Sequence, residues 1–397
     1  MTSTAAPSTP TSQTHLGLLS GVRLLTNGAF RFLYPFLPVV ARDLDVDAAD
    51  AGLLVAALSF GGMISPALRG RLTGGHEQSR NLAVLSALIT GVAVVGVALS
   101  PVAFVAMGLL IVVGASKPLV DVASISYVSD RTDFRRRARA TSVMELTWAG
   151  SLVVVAPMAG VMAGWWSWRV PFALLGLLVA ASSVALRRRL DVDEVPTERR
   201  AARPARWTRI EIQMLVTVAL LYAMLEATFS VFGLWLDADH GVSVEELGGL
   251  AAATAMGEML GASLVLWLGD HLGKHRSALL GLATCIVGLA LLPAAPSLPL
   301  AIGALALALA GSEIAIVSTI PLASEVQPST RTRFLAAMSA AGSFSRAGIA
   351  IVAAMAFAAV GLRANVAMSI TAAVLTGTLL TITVRQEPRL QEPRRTR

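Results

Sequence analysis

The chain alternates long apolar runs with short polar breaks. Twelve such runs can be marked, at 16–40, 49–69, 81–100, 102–127, 140–163, 168–187, 211–236, 246–268, 277–295, 298–322, 334–358 and 362–384. Each meets the ~18 residues a helix needs to cross the apolar layer of a bilayer. The pattern therefore predicts an all-α membrane protein of twelve transmembrane helices. One connection is long and polar, RRLDVDEVPTERRAARPARWTRI at 188–210. It reads as a linker between two six-helix halves, 16–187 and 211–384, with tails at 1–15 and 385–397. The first tail is rich in Ser, Thr and Pro and has no Lys or Arg, so it lacks the basic region of a cleaved signal peptide. It is expected to be disordered.

Composition agrees. Hydrophobic residues make up 55% of the chain and charged residues 14%, too little polar surface for a water-soluble protein of this length. A net charge of +7 raises nucleic-acid binding as a possibility, but the placement of the charges argues against it. With the N-terminus taken as cytoplasmic, twenty-five of the Lys and Arg residues fall in the connections and tail on that side. Three (Arg42, Arg169, Arg363) fall on the other, and four lie within spans. The asymmetry predicts a multi-pass protein of the cytoplasmic membrane with both termini inside. The outer connections are acidic instead (Asp43, Asp45, Asp47, Asp50; Asp237, Asp239, Glu245, Glu246), and Trp165, Trp166, Trp168 and Trp235 sit near outer span ends. The lipid bilayer is thus the expected partner and nucleic acid is not. Cys285 is the single cysteine, and the five histidines do not cluster. Neither an intrachain disulfide nor a metal site is expected.

The halves echo one another. At an offset of 196, Gly52 meets Gly248, Arg80 meets Arg276 and Lys117 meets Glu313; at 195, Arg31 meets Glu226. Such register supports two parallel pseudo-repeats.

The segment GDHLGKHR, with Gly269, Asp270, Gly273, Lys274 and Arg276, follows the eighth span. Its counterpart RGRLTGGHEQSR, with Gly70 and Arg80 but Gly74 in place of an aspartate, follows the second. Together with NGAFRFLYPFLPVVARDL and WRVPF, these segments resemble the major facilitator superfamily over essentially the whole chain. The resemblance implies the superfamily's fold and a monomeric transporter of a small molecule. It also implies a conformational latch at Asp270, Gly273, Lys274 and Arg276, and a central cavity lined by the first, fourth, seventh and tenth spans. WAGSLVVVAPMAG in the fifth span is similar to the Gly-Pro motif of drug/proton antiporters, with Ala156 where a glycine stands in the motif. On the residues alone, Pro157 frees a backbone carbonyl and, with Gly160, bends the helix. Small residues at spacing four, Gly160/Gly164 and Gly257/Gly261, lie on the two spans that the resemblance brings together across the halves.

Nine ionisable residues lie far from any loop: Arg23, Arg31, Lys117 and Arg346, and Asp121, Glu145, Glu226, Glu258 and Glu313. Each costs roughly 2.5–3.5 kcal/mol at a helix centre unless it faces the interior, pairs or neutralises. Arg23, Asn27 and Arg31 share one helix face, and Lys117 and Asp121 are spaced to pair within one helix. Arg31 and Lys117 are expected to face Glu226 and Glu313 across the cavity, beside Tyr34 and Tyr222. Five acids against four bases leave one carboxylate without an obligatory partner. Such a group can carry a proton near neutral pH, and Glu258 or Glu313, each near a span centre, is the candidate.

No G-x-x-x-x-G-K-[ST] loop occurs, so no nucleotide cofactor is expected and a proton gradient is the expected energy source. The leading reading is proton-coupled efflux of a small molecule by alternating access. Metabolite uptake or facilitated diffusion is the alternative. A non-transporting sensor or a lipid-handling protein on the same scaffold is the reading from another class. No catalytic constellation marks an enzyme.

Overall fold

The computed structural model describes residues 13–72, 79–132, 134–191, 207–325 and 331–387. The linker over 192–206 and both tails as far as 12 and from 388 lie outside them. Among the described residues the secondary structure is helical, fourteen α-helices and one short 3-10 turn.

The first apolar segment is broken in two, α1 (Gln13–Arg31) and α2 (Leu33–Asp43), with a bend of 46° between them. Pro35 and Pro38 lack the N–H that the helix interior needs, and the break falls just ahead of them. The remaining five segments of the first half are α3 (Gly52–Leu72), α4 (Ser79–Ala98), α5 (Ala103–Asp130), α6 (Phe134–Trp165) and α7 (Arg169–Arg189). The second half repeats the plan. Its opening segment is also interrupted, between α8 (Arg209–Phe229) and α9 (Phe232–His240). Then come α10 (Val244–Leu272), α11 (Lys274–Leu291), α12 (Leu298–Glu325), α13 (Arg331–Val360) and α14 (Leu362–Gln386). Ten of these segments are long and apolar enough to cross a bilayer. The bent α1–α2 pair makes an eleventh, and the apolar stretch Gly52–Leu68 of α3 is shorter. Twelve segments in two pseudo-repeats agree with this set.

Local chemistry sets several ends. Thr208 and Ser243 each cap a helix, accepting from the backbone N–H of Glu211 and Glu246, whose carboxylates accept in return from the cap N–H. This closes two of the otherwise unsatisfied donors of a helix start. Gly273, at φ +80°, turns the chain sharply from α10 into α11, a conformation that suits glycine.

The buried apolar side chains form one large cluster that draws on both halves, together with three smaller ones, the least of them Val265 with Ile314. The large cluster includes Phe36, Leu54 and Trp168 of the first half and Phe232, Leu247 and Ala350 of the second, all toward the end away from the termini. At the end that bears the termini the core divides. Leu19, Leu82, Tyr127 and Leu186 pack within the first half, and Met214, Leu322, Phe334 and Leu380 within the second. Among the described residues the halves thus meet through a continuous core at one end only.

Backbone proximity draws the same seam. A Cβ at Gly248 of α10 would lie 2.2 Å from the carbonyl oxygen of Ala156 on α6, and one at Gly52 of α3 would lie 2.2 Å from that of Ala350 on α13. Gly233 of α9 is pressed in the same way on Pro35 of α2. On the fifth span the small-residue expectation holds, Gly160 and Gly164 facing Gly248 and Glu245 across the halves. Gly257 and Gly261 instead face Ala306 and Ala310 of α12, within their own half. The seam uses the outer third of α10, so glycines two turns further in are free to receive a neighbour from the same half.

Candidate functional site

Just beneath the seam, where the shared core ends, the ionisable residues gather. Arg31, at the last turn of α1, donates from Nη1 and Nη2 to both carboxylate oxygens of Glu258 on α10, at 2.8 and 2.7 Å. It also donates to the backbone carbonyl of Trp148 on α6. Its guanidinium lies 4.6 Å from the centre of the Trp148 ring. This ion pair joins the two halves, and both side chains are buried. A bidentate, hydrogen-bonded geometry is the one that best offsets the cost of burying two charges.

A second group straddles the seam beside it. Glu226 of α8, fully buried, accepts from Nε of Arg346 on α13 at 2.8 Å. Arg346 also donates to the hydroxyl of Tyr34 on α2, which in turn lies 3.5 Å from Glu226. Tyr34 is buried in the closed seam and stacks on Phe229.

The third group belongs to the first half alone. Lys117 of α5 donates to Asp121 one turn on, at 2.6 Å, and Arg23 of α1 donates to Asp121 at 3.1 Å and to Glu145 of α6 at 3.2 Å. Asn27, one turn from Arg23, donates to Thr147. The expected shared face of Arg23, Asn27 and Arg31 is thus turned toward α5, α6 and α10. Lys117 lies 4.7 Å from the Trp148 ring centre and 5.4 Å from that of Phe30, while Arg346 lies 5.8 Å from Phe30 on its other approach.

The expected cross-cavity pairing is corrected by these contacts. Arg31 pairs with Glu258 rather than Glu226, and Lys117 with Asp121 rather than Glu313. The lining draws on more than the first, fourth, seventh and tenth spans. Helices α6, α10 and α13, which form the seam, bring in Glu145, Glu258 and Arg346, and these take up the charges of α1 and α8. Glu258 is thereby removed as the unpartnered acid. Glu313, midway along α12, forms no hydrogen bond or ion pair among the described residues, yet it lies within electrostatic reach of Glu258, Arg31 and Glu145. Tyr222 of α8 lies within reach of Glu313 and Glu145, with Arg346 5.9 Å from its ring centre.

The other expected positions are separate from this group. Pro157 sits inside α6, which continues through it as one helix to Trp165. Lys274 and Arg276 open α11 at the opposite end from the seam, and the side chain of Asp270 lies outside the described ones. Trp148 and Phe30, which no charge count could mark, supply the aromatic wall. Their signal in the sequence was their spacing from Glu145 and Arg23 on the same helices.

Residues 19–234 match the sequence profile of the Major Facilitator Superfamily. The chain belongs to the major facilitator superfamily. Solved structures of that type share its fold at low identity. A bacterial homolog to the human lysosomal transporter Spinster, in an inward-facing and unoccupied conformation, superposes with a TM-score of 0.73 at 14% identity, over 97% of this chain and 100% of that one. The same homolog in an inward-facing and occupied conformation gives 0.69 at 15%, over 96% and 98%. A mutant of the nucleoside transporter NupG gives 0.73 at 13%, over 94% and 98%. Superfamily membership and this fold support membrane transport by alternating access.

Proposed function

We propose that this superfamily member is a secondary active transporter of the cytoplasmic membrane that exports a small molecule in exchange for protons. Arginine asymmetry supports placing both termini in the cytoplasm, which makes the end with the divided core the cytoplasmic one. The structure then corresponds to an inward-facing conformation, closed outside by α2, α3 and α6 against α9, α13 and α10. Rocking of one half on the other would break the Arg31–Glu258 and Tyr34–Arg346 contacts and open the outer end.

One observation supports the coupling: among the described residues Glu313 has no hydrogen bond or ion pair, and it lies within electrostatic reach of Glu258, Arg31 and Glu145. An uncompensated carboxylate in such surroundings is relieved by taking up a proton or a cationic ligand. A proton held there can be exchanged as the halves rock. The chain works as a monomer in this reading and needs no cofactor beyond the proton gradient.

The test begins with thermal unfolding of the purified protein against drugs, sugars, amino acids and lipids at two pH values. A ligand at about 100 times its Kd adds about 2.7 kcal/mol. Ligands found in this way are then followed in proteoliposomes under an imposed pH gradient. Gradient-driven flux that Glu313→Gln abolishes supports the proposal. Saturable flux indifferent to the gradient leaves facilitated diffusion, and binding without flux under any gradient leaves a non-transporting receptor.

A further inference from the structure

We infer that the groove between α11 and α14 binds one anionic phospholipid, with its phosphate on Arg385 and an acyl chain lying along the groove. The site is separate from the buried charges and independent of substrate and coupling. It arises from a difference between the two halves. In the first, the third and sixth segments touch backbone to backbone. A Cβ at Gly91 of α4 would lie 2.3 Å from the Ala180 nitrogen of α7, and one at Gly176 of α7 would lie 2.8 Å from the Gly91 carbonyl oxygen. The second half uses its glycines otherwise. On α11, a Cβ at Gly281 would lie 2.5 Å from the Ala315 nitrogen of α12, and one at Gly288 would lie 2.4 Å from that of Ala308. Helix α14 is held to α8 instead, by Asn365 Nδ2 donating to the Ala227 carbonyl and by the Thr228–Ser369 hydroxyl pair. Helices α11 and α14 therefore stand apart. A cavity of about 520 Å³ opens between them, lined on α11 by apolar side chains from Leu279 to Ile286 and on α14 from Ala373 to Arg385. Val374 and Ile382 on its rim are exposed, so the cavity faces the surrounding lipid.

Dimensions and chemistry together select the occupant. From Ala373 to Arg385 the groove follows about 18 Å of helix at 1.5 Å per residue. One leaflet of a ~30 Å hydrocarbon layer is about 15 Å deep. The groove thus spans a single leaflet, the cytoplasmic one in the orientation proposed above. A membrane helix of a partner or of a second copy would follow the full depth. At ~10 Å across it would also occupy about 1,400 Å³ over the same 18 Å, so even half-sunk it overfills the space. An extended alkyl chain fits. Thr378 and Thr381 add little polarity to the wall, because their hydroxyls donate to the carbonyls of Val374 and Gly377 on their own helix. Charge enters at one end. Arg385 closes the groove there and is exposed, and Arg276, also exposed, stands in the first turn of α11 at the same end. A guanidinium matches a pair of phosphate oxygens, and a basic end on a slot between membrane helices suits an anionic headgroup. A free phosphate would leave the slot unfilled, and a zwitterionic lipid would bring its own cation beside two arginines. Bound there, the lipid fills the gap that backbone contact closes in the first half.

The full-length protein in detergent is titrated with phosphatidylglycerol, with phosphatidylcholine of the same acyl chains, and with glycerol phosphate. Bound adducts are resolved by native mass spectrometry, and lipid-free melting is recorded for every variant. One phosphatidylglycerol is expected to bind about tenfold tighter than phosphatidylcholine, with glycerol phosphate not bound in the same range. Each arginine near the membrane surface is worth about fivefold, so Arg385→Gln is expected to reduce the preference by about that factor. A Cβ at Gly377 would meet Leu282 and Leu279 side chains at 3.4 and 3.6 Å, ordinary contact, so Gly377→Ala is expected to keep the adduct. Gly377→Trp fills the groove and is expected to remove it, while Leu375→Trp, at an exposed position of α14 outside the lining, is expected to leave it. Arg385→Gln alters an exposed side chain and decides the matter should Gly377→Trp fail to fold. Equal binding of the two lipids overturns the inference, as does tight binding of glycerol phosphate. So does a preference that Arg385→Gln leaves intact, an adduct that survives Gly377→Trp, or one that Leu375→Trp removes as well. A dimer in place of the lipid adduct assigns the groove to a second copy and overturns it too. Absence of flux in proteoliposomes counts against the transporter reading alone and leaves this site standing.

Discussion

Arg31 and Glu258 lie 227 positions apart in sequence, yet Arg31 donates two parallel hydrogen bonds to the Glu258 carboxylate at 2.7 and 2.8 Å across the seam between the halves. Removing one partner of such a pair leaves the other charge buried and unmet, which costs about 3–5 kcal/mol, whereas replacing both with apolar groups is often neutral. Glu258→Gln is therefore expected to lower the melting temperature sharply, and Arg31→Met with Glu258→Leu to recover most of the loss. Thermal unfolding of the three variants decides this. A double variant as unstable as the single one would mean that the pair does more than compensate its own burial.

The quartet in the first half makes a graded prediction. Asp121 meets two buried cations, while Glu145 meets one of them and is largely exposed. Asp121→Asn is expected to cost about 2–4 kcal/mol, since it leaves Lys117 and Arg23 sharing little negative charge. Glu145→Gln is expected to cost within about 1 kcal/mol, the range of a solvent-screened pair. Equal losses in unfolding experiments would show that Glu145, not Asp121, holds Arg23.

How far these pairs were legible follows from where each lives. Lys117 and Asp121 sit one turn apart on one helix, so spacing alone brought them together. The apolar segments were legible for the same reason, and α4 at Ser79–Ala98 lies within two residues of the expected 81–100. The break between α1 and α2 left no mark in hydropathy, because it separates two apolar pieces. Arg31 and Glu258 were each marked as membrane-embedded charges, but their pairing depends on how α10 crosses α6 and α1. That crossing is set by the approach of Gly160 to Gly248, a contact between backbones that no charge count contains.

That approach can be probed directly. A side chain at Gly248 would meet the Ala156 carbonyl oxygen at 2.2 Å, with the Gly160 Cα at 3.2 Å. Both are backbone atoms, so they can yield only by parting the helices. Gly248→Val is expected to disfavour the closed seam and raise the labelling of a cysteine placed at Val244 several-fold, in a background where Cys285 is replaced by serine. Gly249 has open space at its Cβ, and Gly249→Val is expected to leave labelling unchanged. Equal responses would show that the seam is not held by this contact.

The protonation proposed for Glu313 would give the seam a pH dependence whose sign follows from its neighbours. Ionised, Glu313 sets a second negative charge near Glu258 and competes with it for Arg31; protonated, it leaves Arg31 to Glu258 alone. Acid is therefore expected to favour the closed outer end and alkali to loosen it, the stabilisation being lost as pH rises through the titration of Glu313. Glu313→Gln removes the titrating charge and is expected to hold the seam closed across the range. Trp148 reports on this without a ligand, because its ring lies against both Arg31 and Lys117. Its fluorescence, isolated by replacing the other tryptophans with phenylalanine, is expected to titrate in the parent protein and stay flat in the glutamine variant. A titration that survives Glu313→Gln would move the proton to another acid of the cluster, with Glu145 the next to replace because Arg23 holds it at one oxygen only and its side chain is 57% exposed.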